Sequence, residues 1–144
     1  MKEIRFEDLN VGSEMPKLVK LPIDQVQLVK YAGASGDFHP LHCDPAFGKK
    51  VGIGQIAHGM LVMGFAGEAL TNWISKKHLR KLSVRFVGMT RPGDVVIVTG
   101  KITEKKQEGE QYIVWGEIVA RNQKDEMLLS GSFEAARLDT SGHK

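Results

Sequence analysis

The strongest structural signal in this chain is "AHGMLVMGFAGEALTNWISKK", Ala57 to Lys77. Apolar residues occupy nearly every side of it as far as Glu68, and small residues such as Gly64 and Gly67 are frequent. A helix that is apolar on all sides is normally buried, so the pattern predicts a long helix inside the domain. Each internal glycine weakens a helix by about 1 kcal/mol relative to alanine, which close packing against a sheet or a ligand would offset.

Four strand-like runs follow this helix, separated by turn-forming sequences. They are "RKLSVRFVGMT" from Arg80, "DVVIVTGKITEKK" from Asp94, "QYIVWGEIVARNQ" from Gln111 and "MLLSGSFEAARL" from Met127. Apolar and polar side chains alternate in places, as expected of strands with one buried face. Short turns make consecutive strands antiparallel neighbours, so we expect a meander. The final "DTSGHK" is expected to be disordered.

A short strand and an amphipathic helix are predicted ahead of the long helix. "KLVKL" (17–21) has the pattern of a strand, and "IDQVQLVKYAGASG" (23–36) has apolar residues at an approximate 3.6-residue period. The glycines that close this second segment place Asp37 in the loop beyond it. Residues 1–144 are therefore expected to form one α+β domain, with an antiparallel sheet packed on a long helix.

Composition narrows the class of protein. The 144 residues are 42% apolar and 26% charged, and the net charge of +3 is mild and compatible with acidic partners such as phosphates. Basic residues do not alternate with aromatic ones, so nucleic-acid binding is not expected. The single cysteine, Cys43, rules out an intrachain disulfide. The first 15 residues lack an apolar leader, and no apolar run reaches the ~18 residues of a membrane span, which predicts a cytoplasmic protein outside the membrane.

The motif "GDFHPLH", Gly36 to His42, is a candidate for proton transfer. Asp37 and His42 lie five residues apart in a loop stiffened by Pro40, whose ring fixes φ. A carboxylate beside an imidazole can hold a water molecule and move protons near neutral pH. The spacing is also consistent with Asp37 capping a turn and His42 being a packed histidine.

A second candidate feature is "AHGM", Ala57 to Met60. If the long helix begins near His58, the Gly59 amide is one of the N–H groups that the first turn leaves without an intrahelical acceptor. With the positive end of the helix dipole behind it, this amide can stabilise an oxyanion, although Gly59 also permits tight packing. A proton-moving pair beside an oxyanion site suits the addition or removal of water across a double bond conjugated to a thioester carbonyl.

Three other kinds of site receive little support. "GIGQIA" (52–57) matches a dinucleotide-binding pattern, but no strand precedes it and no βαβ unit follows. Five side chains are possible metal ligands: Asp37, His39, His42, Cys43 and His58. His39 and His42 flank Pro40, and the spacing of the set matches no standard site. Cys43 and His42 are adjacent, and adjacent side chains rarely face each other as a nucleophile and its base would. We therefore expect no metal and no resident cofactor.

The run "YAGASGDFHPLHCDPAFGKKVGIGQIAHGML", Tyr31 to Leu61, resembles the hydratase motif of the MaoC-like family, which includes R-specific enoyl-CoA hydratases and (3R)-hydroxyacyl-ACP dehydratases. The resemblance implies a hot-dog fold, in which an antiparallel sheet wraps around a long central helix. It implies interconversion of trans-2-enoyl and (3R)-3-hydroxyacyl thioesters by a hydro-lyase of fatty acid metabolism. Asp37 and His42 would form the catalytic dyad, and the Gly59 amide would bind the thioester carbonyl.

The same resemblance assigns a second set of residues to substrate binding: His39, Pro40, His58 and Gly67. Two of them depart from the family pattern. The family often has Asn at the position of His39, where it helps to hold the loop, and some members have Ser at the position of Gly67. A glycine at that position leaves more room for an acyl chain.

Partners are also implied by the resemblance. The substrate would be an acyl-CoA or an acyl carrier protein thioester, so coenzyme A or phosphopantetheine enters only as part of the substrate. A homodimer or higher oligomer is expected, and a heterodimer with a partner subunit is an alternative. The basic run "KKHLRK" (76–81) with Arg85 is a candidate contact for the phosphates of coenzyme A or for an acidic carrier protein, or else a solvated basic turn.

Two alternative functions stay open from the sequence. A hot-dog thioesterase would use a carboxylate on the central helix to direct water at the carbonyl carbon, and Glu68 is the only acid in the apolar part of that helix. A non-catalytic acyl-thioester-binding subunit of a heterodimeric dehydratase is the other alternative, although the intact Asp37–His42 motif favours a catalytic chain.

Overall fold

A computed structural model describes residues 3–142 of the chain. A single 3₁₀ turn, Phe6–Asp8, precedes the other elements. In chain order these are β1 (Leu18–Val19), α1 (Gln25–Ser35), α2 (Pro40–Cys43), α3 (Pro45–Lys50), α4 (Gly59–Trp73), β2 (Leu79–Phe86), β3 (Ile97–Glu108), β4 (Gln111–Arg121) and β5 (Met127–Ala135).

The five strands form one antiparallel sheet in the order β1-β3-β4-β5-β2. The predicted meander is confirmed for β3, β4 and β5 and is wrong for β2, which pairs with β5 instead of β3. The connection from β2 to β3, residues 87–96, is too long for a tight hairpin. Its first amides, Val87 and Gly88, donate to the Leu128 carbonyl and carry the chain past the start of β5. One edge of the sheet is therefore β2.

Helix α4 packs on the sheet and supplies much of the core. Six of its residues are buried: Leu61, Val62, Phe65, Ala66, Ala69 and Leu70. They join a cluster with sheet residues that include Val98, Ile118 and Phe133. A curled antiparallel sheet around a central helix is the hot-dog arrangement, so the predicted α+β fold class is confirmed.

Helix α4 is shorter than its composition predicts, and one side of it is exposed. It ends at Trp73, because Ile74 already has extended backbone while its N–H bonds to the Leu70 carbonyl. One side of α4, away from its buried residues, carries Met60 and Gly64, and both are exposed. No helix within residues 3–142 is long and apolar enough to cross a lipid bilayer.

Both ends of the described chain lie on the same part of the domain. The Phe6 N–H donates to the Asp139 carbonyl at 2.9 Å, and the Ser141 N–H donates to Glu7 at 3.2 Å. The expectation of a disordered tail is therefore wrong for residues 139–142, because the amino-terminal segment offers them hydrogen-bond partners. His143 and Lys144 lie outside the described residues.

Candidate active site

The turn after α1 places Asp37. The helix begins with Asp24, whose side chain accepts from the Gln27 N–H at 2.7 Å, and ends at Gly36. Gly36 has φ of 76°, a left-handed conformation that glycine adopts without steric cost, and its N–H bonds to the Ala32 carbonyl. This turn stops the helix, so Asp37 begins a new segment, as the sequence predicts.

Helix α2 is a single turn held by His39 and Pro40. Pro40 stands in its first position, where a missing N–H costs nothing. Nδ1 of His39 accepts from the Leu41 N–H at 3.2 Å, so the imidazole caps the turn as an asparagine amide would. The His39 N–H in turn donates to Oδ1 of Asp37 at 3.3 Å. His39 therefore holds the loop on which both members of the candidate dyad are carried.

His42 has one nitrogen bound to the backbone and the other directed at Asp37. Nδ1 lies 2.9 Å from the Ile56 carbonyl oxygen, which can only accept, so Nδ1 carries a hydrogen. In the neutral ring the lone pair is then on Nε2, which lies 3.7 Å from Oδ2 of Asp37. The His42 side chain is 16% exposed and that of Asp37 is 52% exposed. This geometry presents a base and a carboxylate to the same accessible spot.

His58 lies beneath this pair and is 2% exposed. Its ring stacks on His42, with centroids 4.2 Å apart and planes inclined by 27°, and packs against Tyr31 on centroids 4.8 Å apart. Nε2 donates to the backbone carbonyl of Asp37 at 3.0 Å. His58 thus supports the dyad from below, since it contacts the ring of one member and the backbone of the other.

Helix α4 begins directly after His58, at Gly59. As the first residue of the helix, Gly59 has an N–H with no intrahelical acceptor, and residues 3–142 supply no other backbone acceptor for it. A β-carbon on Gly59 would lie 3.3 Å from the ring of Phe86, at the end of β2. The amide therefore stands at the positive end of the helix dipole, one residue from the histidine that contacts both dyad members.

Several supporting residues carry no signal in the sequence. The Ile56 N–H donates to the Leu41 carbonyl, and the Gln55 side-chain amide donates to the His42 carbonyl at 2.7 Å. The Gln25 amide donates to the Cys43 carbonyl at 2.8 Å, so α1 is also tied to α2. These contacts use backbone groups or long polar side chains far apart in sequence, which no local pattern reveals.

Gly48 allows the loop before α4 to approach α3. A β-carbon there would lie 2.5 Å from the backbone nitrogen of Gln55, a distance that real contacts do not show. The Gly54 N–H also bonds to the Gly48 carbonyl at 2.9 Å. The "GIGQIA" segment is thus an irregular connection between α3 and α4, not the strand-to-helix turn of a dinucleotide site.

Other residues singled out from the sequence lie away from the dyad. Gly67 is eight residues beyond Gly59, about 12 Å along the helix axis, and a β-carbon on it would meet no atom within 4 Å. Glu68 pairs with Lys20 at 2.9 Å. In the basic run, Lys77 pairs with Glu3 and Asp139.

Asp37, His42 and His58 each offer one possible ligand atom within 4.8 Å of the others. The two imidazoles are stacked, so their in-plane lone pairs run side by side and do not converge on one point. Nε2 of His58 is also already bonded to a carbonyl. The trio is arranged for stacking and hydrogen bonding rather than for sharing an ion.

Comparison with known proteins identifies the family of the chain. A family model described as the MaoC like domain matches residues 9–122. Enoyl-CoA hydratase 2, peroxisomal, from Arabidopsis thaliana is 32% identical over 111 residues, which cover 74% of this chain and 33% of that protein. The chain spans a third or less of the length of the first curated relatives it matches.

Solved structures share the fold. The unliganded R-hydratase from Pseudomonas aeruginosa superposes with a TM-score of 0.81 at 24% identity, over 92% of this chain and 84% of that one. The ChsH1–ChsH2 complex from Mycobacterium tuberculosis gives 0.76 at 21% identity, over 88% and 97%. The family model covers most of the chain and includes the whole Asp37-to-Gly59 segment, so this protein belongs to the MaoC-like hydratase/dehydratase family.

Proposed function

We propose that the chain is a hydro-lyase that interconverts trans-2-enoyl thioesters and (3R)-3-hydroxyacyl thioesters. One observation carries the proposal: Nε2 of His42 lies 3.7 Å from Oδ2 of Asp37 while Nδ1 is engaged by the Ile56 carbonyl. The gap is too long for a strong hydrogen bond between the two side chains. It is short enough for one water molecule to contact both.

In the hydration direction, His42 acts as the base. Its Nε2 takes a proton from water as the oxygen bonds to C3 of the enoyl group, and the C2–C3 π electrons move toward the carbonyl. The Gly59 amide donates to the resulting enolate oxygen, helped by the dipole of α4. Asp37 orients the water. The proton then passes from His42 through Asp37 to C2, which completes the addition. Dehydration follows the same steps in reverse.

Substrate binding is proposed for the residues around these groups. His39 and Pro40 shape the loop over the reacting atoms, and His58 fixes the dyad from beneath. The open side of α4 runs from Met60 past Gly64 to Gly67, where added β-carbons at the two glycines would meet nothing within 4 Å. This apolar strip leads away from Gly59 and is a suitable path for the acyl chain.

We further propose that the chain works as one domain in a cytoplasmic homodimer or higher oligomer, on acyl-CoA or acyl carrier protein thioesters. Phe86 and Val87, at the end of the β2 edge, and Met60 nearby on α4, are each between 46% and 56% exposed. A second subunit covering them would close the substrate path. A heterodimer would do the same, so the partner can be a copy or a related chain. No resident metal or cofactor is required.

The thioesterase alternative receives less support. Glu68 is held by Lys20 and lies nine residues from Gly59, about 13 Å along the helix. A carboxylate so placed does not reach water at the site beside the Gly59 amide. Release of free thiol from acyl-CoA would favour the thioesterase over the hydro-lyase.

The test is loss of the conjugated enoyl absorbance on crotonyl-CoA and on longer trans-2-enoyl-CoA substrates, with the configuration of the 3-hydroxy product determined. Asp37→Asn and His42→Ala are expected to lower turnover by at least about 100-fold while circular dichroism stays unchanged. His39→Asn, which keeps a capping side chain, is the matched control and should retain most of the activity. Equal inactivity of the wild-type chain and both dyad variants at every chain length would contradict the proposal.

A further inference from the structure

A second group of ionisable side chains lies outside the candidate active site. It brings together Glu3 near the start of the chain, His78 in the turn between α4 and β2, and Asp139 beyond β5. One ligand atom from each lies within 4.8 Å of the others. We propose that these three side chains bind a divalent transition-metal ion of the Zn²⁺ class.

The distances suit a single ion. Nε2 of His78 lies 3.4 Å from Oδ2 of Asp139 and 4.0 Å from Oε1 of Glu3. Two ligands bound tetrahedrally at 2.0–2.2 Å from zinc are separated by about 3.4 Å. One imidazole with two carboxylate oxygens is a donor set that zinc accepts. Small movements of two exposed carboxylates are enough to complete this geometry.

The buried imidazole supplies an independent indication. The His78 side chain is 5% exposed, and Nε2 is fully buried with no hydrogen-bond partner among residues 3–142. A buried nitrogen without a partner costs roughly 1–3 kcal/mol, so native proteins rarely leave one. At 3.4 Å, the Asp139 oxygen lies beyond the ordinary range of an N–H···O bond and makes only a long ion pair with this nitrogen. The nitrogen is aimed at the two carboxylates, where an ion would give it a partner.

Lys77 shows that the carboxylate pair already attracts a cation. Its Nζ lies 2.8 Å from both Oε1 of Glu3 and Oδ2 of Asp139. The lysine side chain is 53% exposed and flexible, so a divalent ion can displace its ammonium group into solvent. Lys77 is thus a competitor of the metal rather than a ligand.

A bound ion would join three separate parts of the chain. It would tie the amino-terminal segment and the residues after β5 to the turn that leads into β2. This role is structural and independent of the proposed hydratase activity, since the ligands lie beyond the opposite end of α4 from Gly59.

The proposal is tested by titrating the full-length chain with Zn²⁺ at pH 7.5 and measuring the binding by calorimetry. We expect one ion per chain, and at least a tenfold weaker Kd in Asp139→Asn and in Glu3→Gln. Both residues are about half exposed, so these variants should fold normally. Lys77→Met should bind more tightly because the competing ammonium is gone. His42→Ala and His143→Ala are controls for other histidines and should bind as the wild type does.

Thermal unfolding gives a second readout that does not depend on activity. A ligand that binds only the folded state raises Tm with its concentration, so Zn²⁺ should raise the Tm of the wild type and of His42→Ala. At the same concentration, Zn²⁺ should raise the Tm of Asp139→Asn by clearly less. Unchanged affinity in both carboxylate variants would overturn the site, as would the absence of binding tighter than about 1 mM in both wild type and Lys77→Met.

Discussion

Two histidine clusters flank helix α4, and they differ in what their nitrogen atoms face. At the amino-terminal end, one nitrogen of His42 and one of His58 contact backbone carbonyls, and the rings stack. Beyond the carboxy-terminal end, Nε2 of His78 faces the carboxylates of Glu3 and Asp139 without a hydrogen bond. The first arrangement sets the His42 tautomer and leaves a base, although the buried Nδ1 of His58 has no partner among residues 3–142. In the second, the buried nitrogen without a partner faces two carboxylates.

An imidazole beside an aspartate is therefore not by itself a catalytic signature. The group on the other nitrogen decides the role, because a carbonyl acceptor forces the hydrogen onto that nitrogen. A base also needs access to substrate, and the amino-terminal cluster opens beside a free helix N-terminus. The carboxy-terminal cluster has no such amide, since it follows the end of α4.

The largest expected effect is on the hydration rate, and it distinguishes Asp37 from Asp139. Asp37→Asn should lower the hydration rate by about 10²–10⁴-fold, because a positioned acid–base group contributes on that scale. Asp139→Asn should change the same rate less than twofold. Steady-state assays of both variants on one enoyl-CoA compare them directly. Comparable losses in the two variants would remove the distinction between the clusters.

A smaller effect is expected at the buried floor of the site. His58→Ala removes the donor to the Asp37 carbonyl and the surface beneath His42, and should cost roughly 2 kcal/mol of unfolding free energy. His58→Phe keeps the stack and loses only the hydrogen bond, so it should be more stable than His58→Ala. Urea unfolding with parallel rate measurements tests this order. Full activity in His58→Ala would show that the stack does not position the dyad.

Between the clusters, alanine substitution of two glycines of α4 should have different effects: one should increase stability and the other should reduce activity. Gly64→Ala meets no atom within 4 Å and should raise the free energy of unfolding by about 0.5–1 kcal/mol, because alanine is the better helix former. Gly59→Ala places a methyl group 3.3 Å from the Phe86 ring and should reduce activity. Chemical denaturation and enoyl-CoA assays measure the two changes. A destabilised Gly64→Ala would mean that the side of α4 that carries Gly64 is already covered by other atoms.

The smallest effect concerns the pH dependence of the Lys77–Asp139 pair. Hydrogen bonding lowers the pKa of Asp139 and raises the pKa of Lys77. The carboxylate therefore contributes stability above about pH 4, its ordinary pKa, and loses it as pH falls through the lowered value. The ammonium contributes below about pH 10.4 and loses its contribution as pH rises through the raised value.

Lys77→Met should therefore be slightly less stable than wild type at pH 7, and the difference should shrink toward pH 3. Both groups are substantially exposed, which keeps the effect small. Urea midpoints at the two pH values measure it. A difference that grows on acidification would contradict the assigned direction.

Much of the fold followed from local patterns, whereas the candidate dyad was assigned through the resemblance of its motif to the MaoC-like family. The apolar run from Ala57 predicted a central helix, and alternation predicted the strands, because both periodicities reflect which face is buried. Gly36 and Pro40 fixed the loop that carries Asp37 and His42, because each restricts or frees φ locally. Strand order did not follow, since the pairing of β2 with β5 depends on a ten-residue connection that has no period.

The buried helix, the antiparallel strands and the spacing of Asp37, His42 and Gly59 can be read from the sequence, because all of these features are local along the chain. The contact of the Ile56 carbonyl that selects the His42 tautomer, and the meeting of Glu3, His78 and Asp139, arise from the three-dimensional fold. Those contacts join backbone groups and residues from opposite ends of the chain. Their energies depend on distance in space, which a one-dimensional pattern does not record.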